Sequence, residues 1–331
     1  MLRFILVLVL MFSLTACAST SDRAGEDVAK EAAEPAAAEP AAVEEVPTEE
    51  APAAQSATNF NLADVPFAPF DPEKPEGINV YPLEGNPKEG AFSAIVRLPG
   101  GWMSPLHSHS MRYTGVSMGD SMVHGSTADA KETVPKMSYW TQPAGEPHVD
   151  GCMSEEPCYF LVFFDGAVDM SPAEAPAAEP KMKITRGDAI PWVEVKGGVQ
   201  MAVIDGNPKE GAFQALFQFP AGMTTNVHTH SGSFSGGLLS GSHERGPRAD
   251  ALVALTEGAV WHEPAGSAHM EKCGAERNCI FAGAMNAALN TEAVELSAGA
   301  DAAPAAGAAP AADAAPAADA APAADAAPAT E

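Results

Sequence analysis

Basic residues are scarce in this chain: 18 Lys and Arg face 44 Asp and Glu, for a net charge of −26. That argues against nucleic acid as a partner, because its binding needs basic patches that neutralise phosphates. It argues equally against docking on anionic lipid by charge alone. The apolar run from Phe4 to Ser13 is too short to span a bilayer as a stable helix. Segments 18–56 and 298–331 lack the spaced large apolar residues that a core needs, being mostly Ala, Pro and acidic residues. Both are expected to be disordered. Segment 18–56 carries ten acids and two bases, which suits a solvated, extended tether. The tail repeats Ala-Ala-Asp-Ala-Ala-Pro and reads as a solvated extension. What remains, about 57–297, is enough for two domains of ordinary size.

Residues 1–17 have the order of an export signal. Met1-Leu2-Arg3 is a cationic start, the apolar run follows, and Leu14-Thr15-Ala16-Cys17 closes it. This closing motif resembles the bacterial lipobox, which implies lipidation of Cys17 and a membrane anchor. Ala18 follows where Asp would signal inner-membrane retention. The expected location is therefore the cell envelope, on the outer membrane facing the periplasm.

The folded region is one sequence written twice. Gly85-Asn86-Pro87-Lys88-Glu89-Gly90-Ala91-Phe92 recurs at an offset of 121 as Gly206-Asn207-Pro208-Lys209-Glu210-Gly211-Ala212-Phe213. The same offset carries His107 to His228, His109 to His230, Trp140 to Trp261, His148 to His269, Cys152 to Cys273 and Cys158 to Cys279. The units are expected over 57–170 and 178–297, with 171–177 as linker. Each reads as β. Ala91 to Leu98 is strand-like, and Tyr159 to Phe164 is a short continuous apolar run of the kind that forms a buried strand. Short strands with Gly/Pro turns and no long amphipathic segment predict sandwiches or barrels.

Unit one contains Gly101-x5-His107-x-His109 and then Pro143-x-Gly145-x-x-His148; unit two contains Gly222-x5-His228-x-His230 and Pro264-x-Gly266-x-x-His269. On a strand, residues i and i+2 share a face, so His107 and His109 can aim at one point. His148 can reach the same point from a neighbouring strand. Three neutral imidazoles converging there suit a divalent transition metal, one of Zn, Fe, Mn, Ni or Cu. Asp150 and Glu271 stand two residues after the third histidines. Each can be a fourth ligand, a group that orients an imidazole, or a solvated acid at a strand end. His124, His243 and His262 have no histidine counterpart in the other unit and read as surface or loop residues. Trp140 and Trp261 read as core.

These two motifs in this order resemble the signature of the cupin superfamily, and the resemblance covers the folded region. It implies an all-β fold of two tandem cupin barrels, each a double-stranded β-helix or jelly roll. The family's Glu, four or five residues after the second histidine, is replaced by Tyr113 and Thr114 in unit one and by Phe234 and Ser235 in unit two. That weakens any transfer of oxalate oxidase or decarboxylase chemistry. The pattern is similar to a family of exported bicupins related to the cupin domain of ChrR-type anti-sigma proteins, which also carry a Cys-x5-Cys pair.

Of five cysteines, four form Cys152-x5-Cys158 and Cys273-x5-Cys279. Metal ligation is one reading; in an exported protein a disulfide in each unit is the expected one. Three functions stay open: a metal-dependent enzyme of oxygenase or isomerase type acting on a small molecule, a non-catalytic module that holds a metal or small ligand, and a structural lipoprotein.

Overall fold

The computed structural model of the protein describes residues 56–294. The expected leader with Cys17, nearly all of the tether over 18–56, and the tail over 298–331 lie outside the described residues. Among the described residues, no helix is long and apolar enough to cross a membrane. The only helical elements there are two single 3-10 turns, Leu62–Asp64 and Gly187–Ala189.

Everything else regular is antiparallel strand, arranged as two cupin barrels. Barrel one has a seven-stranded sheet in the order Lys183–Thr185, Tyr139–Gln142, Tyr113–Ser117, Cys158–Phe164, Phe92–Leu98, Asn79–Gly85, Ala68–Pro69. A three-stranded sheet faces it: Val149–Cys152, Met122–Gly125, Lys131–Val134. Barrel two repeats this with Thr58–Phe60, Val260–Glu263, Phe234–Ser240, Cys279–Met285, Phe213–Phe219, Val199–Gly206, Val193–Lys196. Its facing sheet is Val253–Leu255, His243–Gly246, Met270–Cys273.

The apolar runs that do not alternate are explained by this arrangement. In Cys158–Phe164, the residues Cys158, Phe160, Val162 and Phe164 enter the interior of barrel one. The intervening Leu161 and Phe163 enter a separate core shared with Leu216, Leu239, Val260 and Ala282 of barrel two. Side chains alternate faces along a strand, so a strand apolar at every position needs apolar partners on both sides. Here one side is the barrel and the other is the second barrel. The molecule thus has three cores, one inside each barrel and one between them. Each fully buried Phe or Leu contributes roughly 1.5–3 kcal/mol.

Polar contacts across the interface come in pairs related by the repeat offset of 121. Arg112 donates to both oxygens of Asp205, at 2.9 and 2.6 Å, and the equivalent pair is Ser233 with Glu84. The Ser93 and Ser235 hydroxyls are 2.6 Å apart, and Thr114 meets Gln214. Lys136 binds Glu257, its own equivalent. This is the two-fold logic of a homodimer interface built within one chain.

Strand pairing departs from the expected segments in three places, the first being Ser171–Pro172, expected in the linker, which pairs with His107–Ser108 of barrel one. Thr58–Phe60, expected in unit one, pairs with Val260–Glu263 of barrel two. Lys183–Thr185, expected in unit two, pairs with Tyr139–Gln142 of barrel one. Each barrel therefore completes its large sheet with a strand from the leading segment of the other.

Candidate metal centres

The histidines are placed by paired backbone. His107 and His148 exchange both backbone hydrogen bonds, at 3.0 and 2.8 Å, and His228 and His269 do the same at 2.8 and 2.9 Å. Directly opposed residues project to the same side of a sheet. The Pro-x-Gly turns bring the third histidine into register. Gly145 and Gly266 have φ of +71° and +74°, which L side chains rarely adopt, and their N–H groups bond the carbonyls of His109 and His230 at 2.7 and 2.8 Å. One ring nitrogen from each of His107, His109 and His148 then lies within 4.8 Å of the others, and so it is for His228, His230 and His269.

All six rings are oriented by backbone carbonyls. Nδ1 of His107 faces the Pro105 carbonyl at 2.9 Å, Nδ1 of His148 faces that of Glu146 at 3.1 Å, and Nδ1 of His109 contacts that of Asp169. In barrel two the partners are Asn226 at 2.8 Å for His228, Ser267 at 3.1 Å for His269, and Asn290 for His230. A carbonyl can only accept, so Nδ1 carries the proton and each Nε2 presents a lone pair inward. Burial favours the neutral ring as well. It lowers His109 and His230 below their ordinary value, and pushes His148 down to about 3 and His269 to about 4. Nε2 of His269 is buried with no hydrogen-bond partner, an arrangement that a metal ion would satisfy. Three neutral imidazoles with a fixed tautomer are a donor set that fits Zn, Fe, Mn, Ni or Cu.

Around the triads the two barrels differ. In barrel one Asp150 stands beside the histidines, its side chain 13% exposed. Its Oδ1 lies 2.6 Å from Nδ1 of His124, and its Oδ2 lies 3.6 Å from Nε2 of His107 and 3.5 Å from Nε2 of His148. Burial alone would raise the carboxyl, but His124, His148 and His107 outweigh it and hold Asp150 well below the usual range. The phenol of Tyr113 lies 3.1 Å from Nε2 of His148. In barrel two the position of His124 is taken by Arg245, which binds Glu271 through Nη1 and lies 3.7 Å from Glu263. The guanidinium carbon sits 4.5 Å from the ring centre of Trp261. Burial would raise both acids. Arg245 overcomes it at Glu271, which falls to about 2, whereas Glu263 rises to about 7.

His124 is thus not a surface residue, as expected, but fully buried beside the triad, between Asp150 and the Gln142 side chain at 3.1 Å. His243 and His262 are buried too. His243 stacks on Phe281 in the core of barrel two, and burial lowers it to about 4. The missed signal was in the repeat itself: the offset of 121 carries His124 to Arg245 and Gln142 to Glu263. Of the residues replacing the family's Glu, Tyr113 and Phe234 turn into the barrels, while Thr114 and Ser235 turn to the interface. Trp140 and Trp261 are fully buried. The disulfides form as expected, Cys152–Cys158 and Cys273–Cys279, each closing the loop after the third histidine.

Each triad opens into a cavity. In barrel two it is about 460 Å³, walled by Phe217, Phe219, Phe281 and Met285, with Lys196 and Asn226 also lining it. In barrel one it is about 90 Å³ and almost wholly apolar.

The model of a family described as a domain of unknown function, DUF4437, matches residues 82–281, a span that contains both triads. No curated protein matches the chain. Among solved structures, a protein of Nostoc punctiforme PCC 73102 assigned provisionally as a dioxygenase aligns over 73% of this chain and 87% of its own, at 12% identity and a TM-score of 0.56. The oxalate decarboxylase of Lactobacillus farciminis, solved with formate, aligns over 70% and 86%, at 13% identity and a TM-score of 0.45. A variant of the Bacillus subtilis oxalate decarboxylase aligns over 70% and 77%, at 14% identity and a TM-score of 0.45. The first of these likenesses supports the cupin fold, and the match to the family model shows that the chain belongs to the DUF4437 family.

Proposed function

We propose that this protein binds a divalent transition metal in each of its two barrels through His107, His109 and His148 and through His228, His230 and His269. The observation that carries this reading is the uniform tethering of six Nδ1 atoms to backbone carbonyls, which turns every Nε2 inward. A bound ion of this kind would supply Lewis-acid or redox chemistry. The cavity of barrel two is large enough for a small, mostly apolar molecule. A metal-dependent enzyme of oxygenase or isomerase type, working on such a molecule in barrel two, accounts for both features. A non-catalytic module holding a metal or small ligand is the second reading, and the narrow cavity of barrel one favours it for that site.

The same proposal places the protein in the cell envelope, anchored through a lipid on Cys17 and facing the periplasm. The lipobox-like Leu14-Thr15-Ala16-Cys17 supports it, as do two disulfides of the kind that persist in oxidising compartments. Labelled palmitate incorporated by the native chain, and lost in Cys17→Ala, is the expected result.

The metal reading is tested by counting metals per full chain by mass spectrometry, after purification without a His tag. Two equivalents of one transition metal are expected, lost in the His107→Ala/His228→Ala double variant. A protein that contains no metal and takes up none of Zn, Fe, Mn, Ni or Cu overturns it. Substrate-dependent oxygen consumption by the loaded protein separates an oxygenase from an inert binding module.

A further inference from the structure

The two centres have equal triads but unequal surroundings. In barrel one, His124 holds Oδ1 of Asp150 at 2.6 Å, and Gln142 braces the other ring nitrogen of His124 at 3.1 Å. The amide of Gln142 is itself fixed, donating to the Glu146 carbonyl at 2.9 Å. This chain leaves Oδ2 of Asp150 facing the ligand nitrogens of His107 and His148 at 3.6 and 3.5 Å. Neighbouring donors on one metal, each about 2.0–2.2 Å from it, are separated by a little over 3 Å. Asp150 needs only a small adjustment to reach that spacing.

In barrel two the equivalent carboxylate also borders the cavity, but it is held by an arginine. Arg245 stands where His124 stands in barrel one, and its Nη1 takes Oε1 of Glu271. Among the described residues, no ion-pair contact within 4.0 Å joins Glu271 to an imidazole of its triad, whereas Asp150 makes two such contacts with ligand histidines. We infer that Asp150 is a fourth, oxygen donor to the metal of barrel one, and that the metal of barrel two has only its three imidazoles from the protein. This rests on the reading that both triads hold a metal. It adds a division between them: a more enclosed four-donor centre beside the small cavity, and a more open three-donor centre beside the large one. His124 and Arg245 are positioning residues that set this difference by holding the carboxylate toward or away from the ion.

The test uses the full chain with one triad removed at a time, titrated with Zn(II) against a chromophoric chelator. His228→Ala leaves barrel one, and His107→Ala leaves barrel two. Adding Asp150→Asn to the first is expected to weaken Zn(II) binding by about 10–100-fold. Adding Glu271→Gln to the second is expected to change it by less than about threefold. A response of barrel one below threefold, or an equal loss in both, overturns the assignment. Because Asp150→Asn disturbs a buried network, infrared difference spectra of the two parent proteins give a second reading. Zn(II) loading is expected to shift an aspartate carboxylate stretch in the barrel-one protein and no carboxylate in the barrel-two protein. If neither protein takes up Zn(II), the metal reading itself falls. If both do and respond alike, only the division between them falls.

Discussion

Replacing Arg245 with Met tests how the structure tolerates an ion pair in the middle of barrel two. The Arg245 side chain is 1% exposed and that of Glu271 is 7% exposed, so water compensates little for the loss of either partner. Met keeps most of the packing volume and removes the charge, leaving Glu271 as an ionised group without a counter-charge. Breaking a buried pair in this way costs about 3–5 kcal/mol. Glu263 adds little at neutral pH, because burial already lifts it to about 7 and it can retain a proton. At about 2–4 °C per kcal/mol for a chain of this size, the melting temperature should fall by about 6–20 °C. Scanning calorimetry of metal-free protein at pH 7 measures it. The second arm adds Glu271→Gln. Nε and Nη2 of Arg245 have no hydrogen-bond partner, so the native pair is imperfectly satisfied. Removing both charges together should restore all but about 1–2 kcal/mol. A loss below about 1 kcal/mol in the single variant, or a double variant no more stable than the single, would refute the idea that Arg245 is there to neutralise Glu271.

Glu263 also predicts a pH dependence in the metal-free protein. Its folded value of about 7 lies above the ordinary 4.5, so the folded state holds a proton that the unfolded state has released, and stability falls as pH rises between those values. Glu263→Gln should remove this fall and gain on the native protein by on the order of 3 kcal/mol between pH 4.5 and 7.5, read by urea titration at each pH. Cys152→Ser/Cys158→Ser opens a loop whose ends are 6 residues apart, which by chain entropy alone costs about 2 kcal/mol, visible as a lower denaturation midpoint that matches the reduced native protein. Gly115→Ala would place a methyl group 2.1 Å from Cζ2 of Trp140, which is fully buried; a loss of about 1–3 kcal/mol and altered Trp fluorescence are expected.

Much of this molecule is legible in its amino acids because the duplication kept its spacing. The offset of 121 aligns the turn glycines, the histidines and the cysteines, and strand alternation then determines which rings can converge. What escaped has two physical causes. Attention to identical positions hides the places where the copies diverged, and there His124 and Arg245 do different work on equivalent carboxylates. The exchanged strands lie outside the matched stretch, and their pairing is set by contacts between distant parts of the chain. Thr58–Phe60 has no local feature that tells it to prefer Val260–Glu263 over a partner nearby. The inter-barrel core was half visible: the unbroken apolar run Tyr159 to Phe164 implied burial on both faces, without naming what covered the second face.

The crossed strands carry a consequence for the order in which the protein can be made. A chain emerging from its N-terminus presents Thr58–Phe60 early, yet the strand that receives it is among the last to appear, and Asn61 bonds the Ala254 carbonyl 193 residues downstream. Until then one edge of the future sheet has unpaired backbone groups, which is where strands mispair and aggregate. The first barrel likewise has to wait for Lys183–Thr185, which belongs to the start of the second copy. Neither copy can therefore finish folding as an independent module during synthesis. Assembly should be slow and late, governed by closure of long loops. Freezing that closure in one chain also makes the duplication hard to undo, because each half now lacks a strand that only the other half supplies.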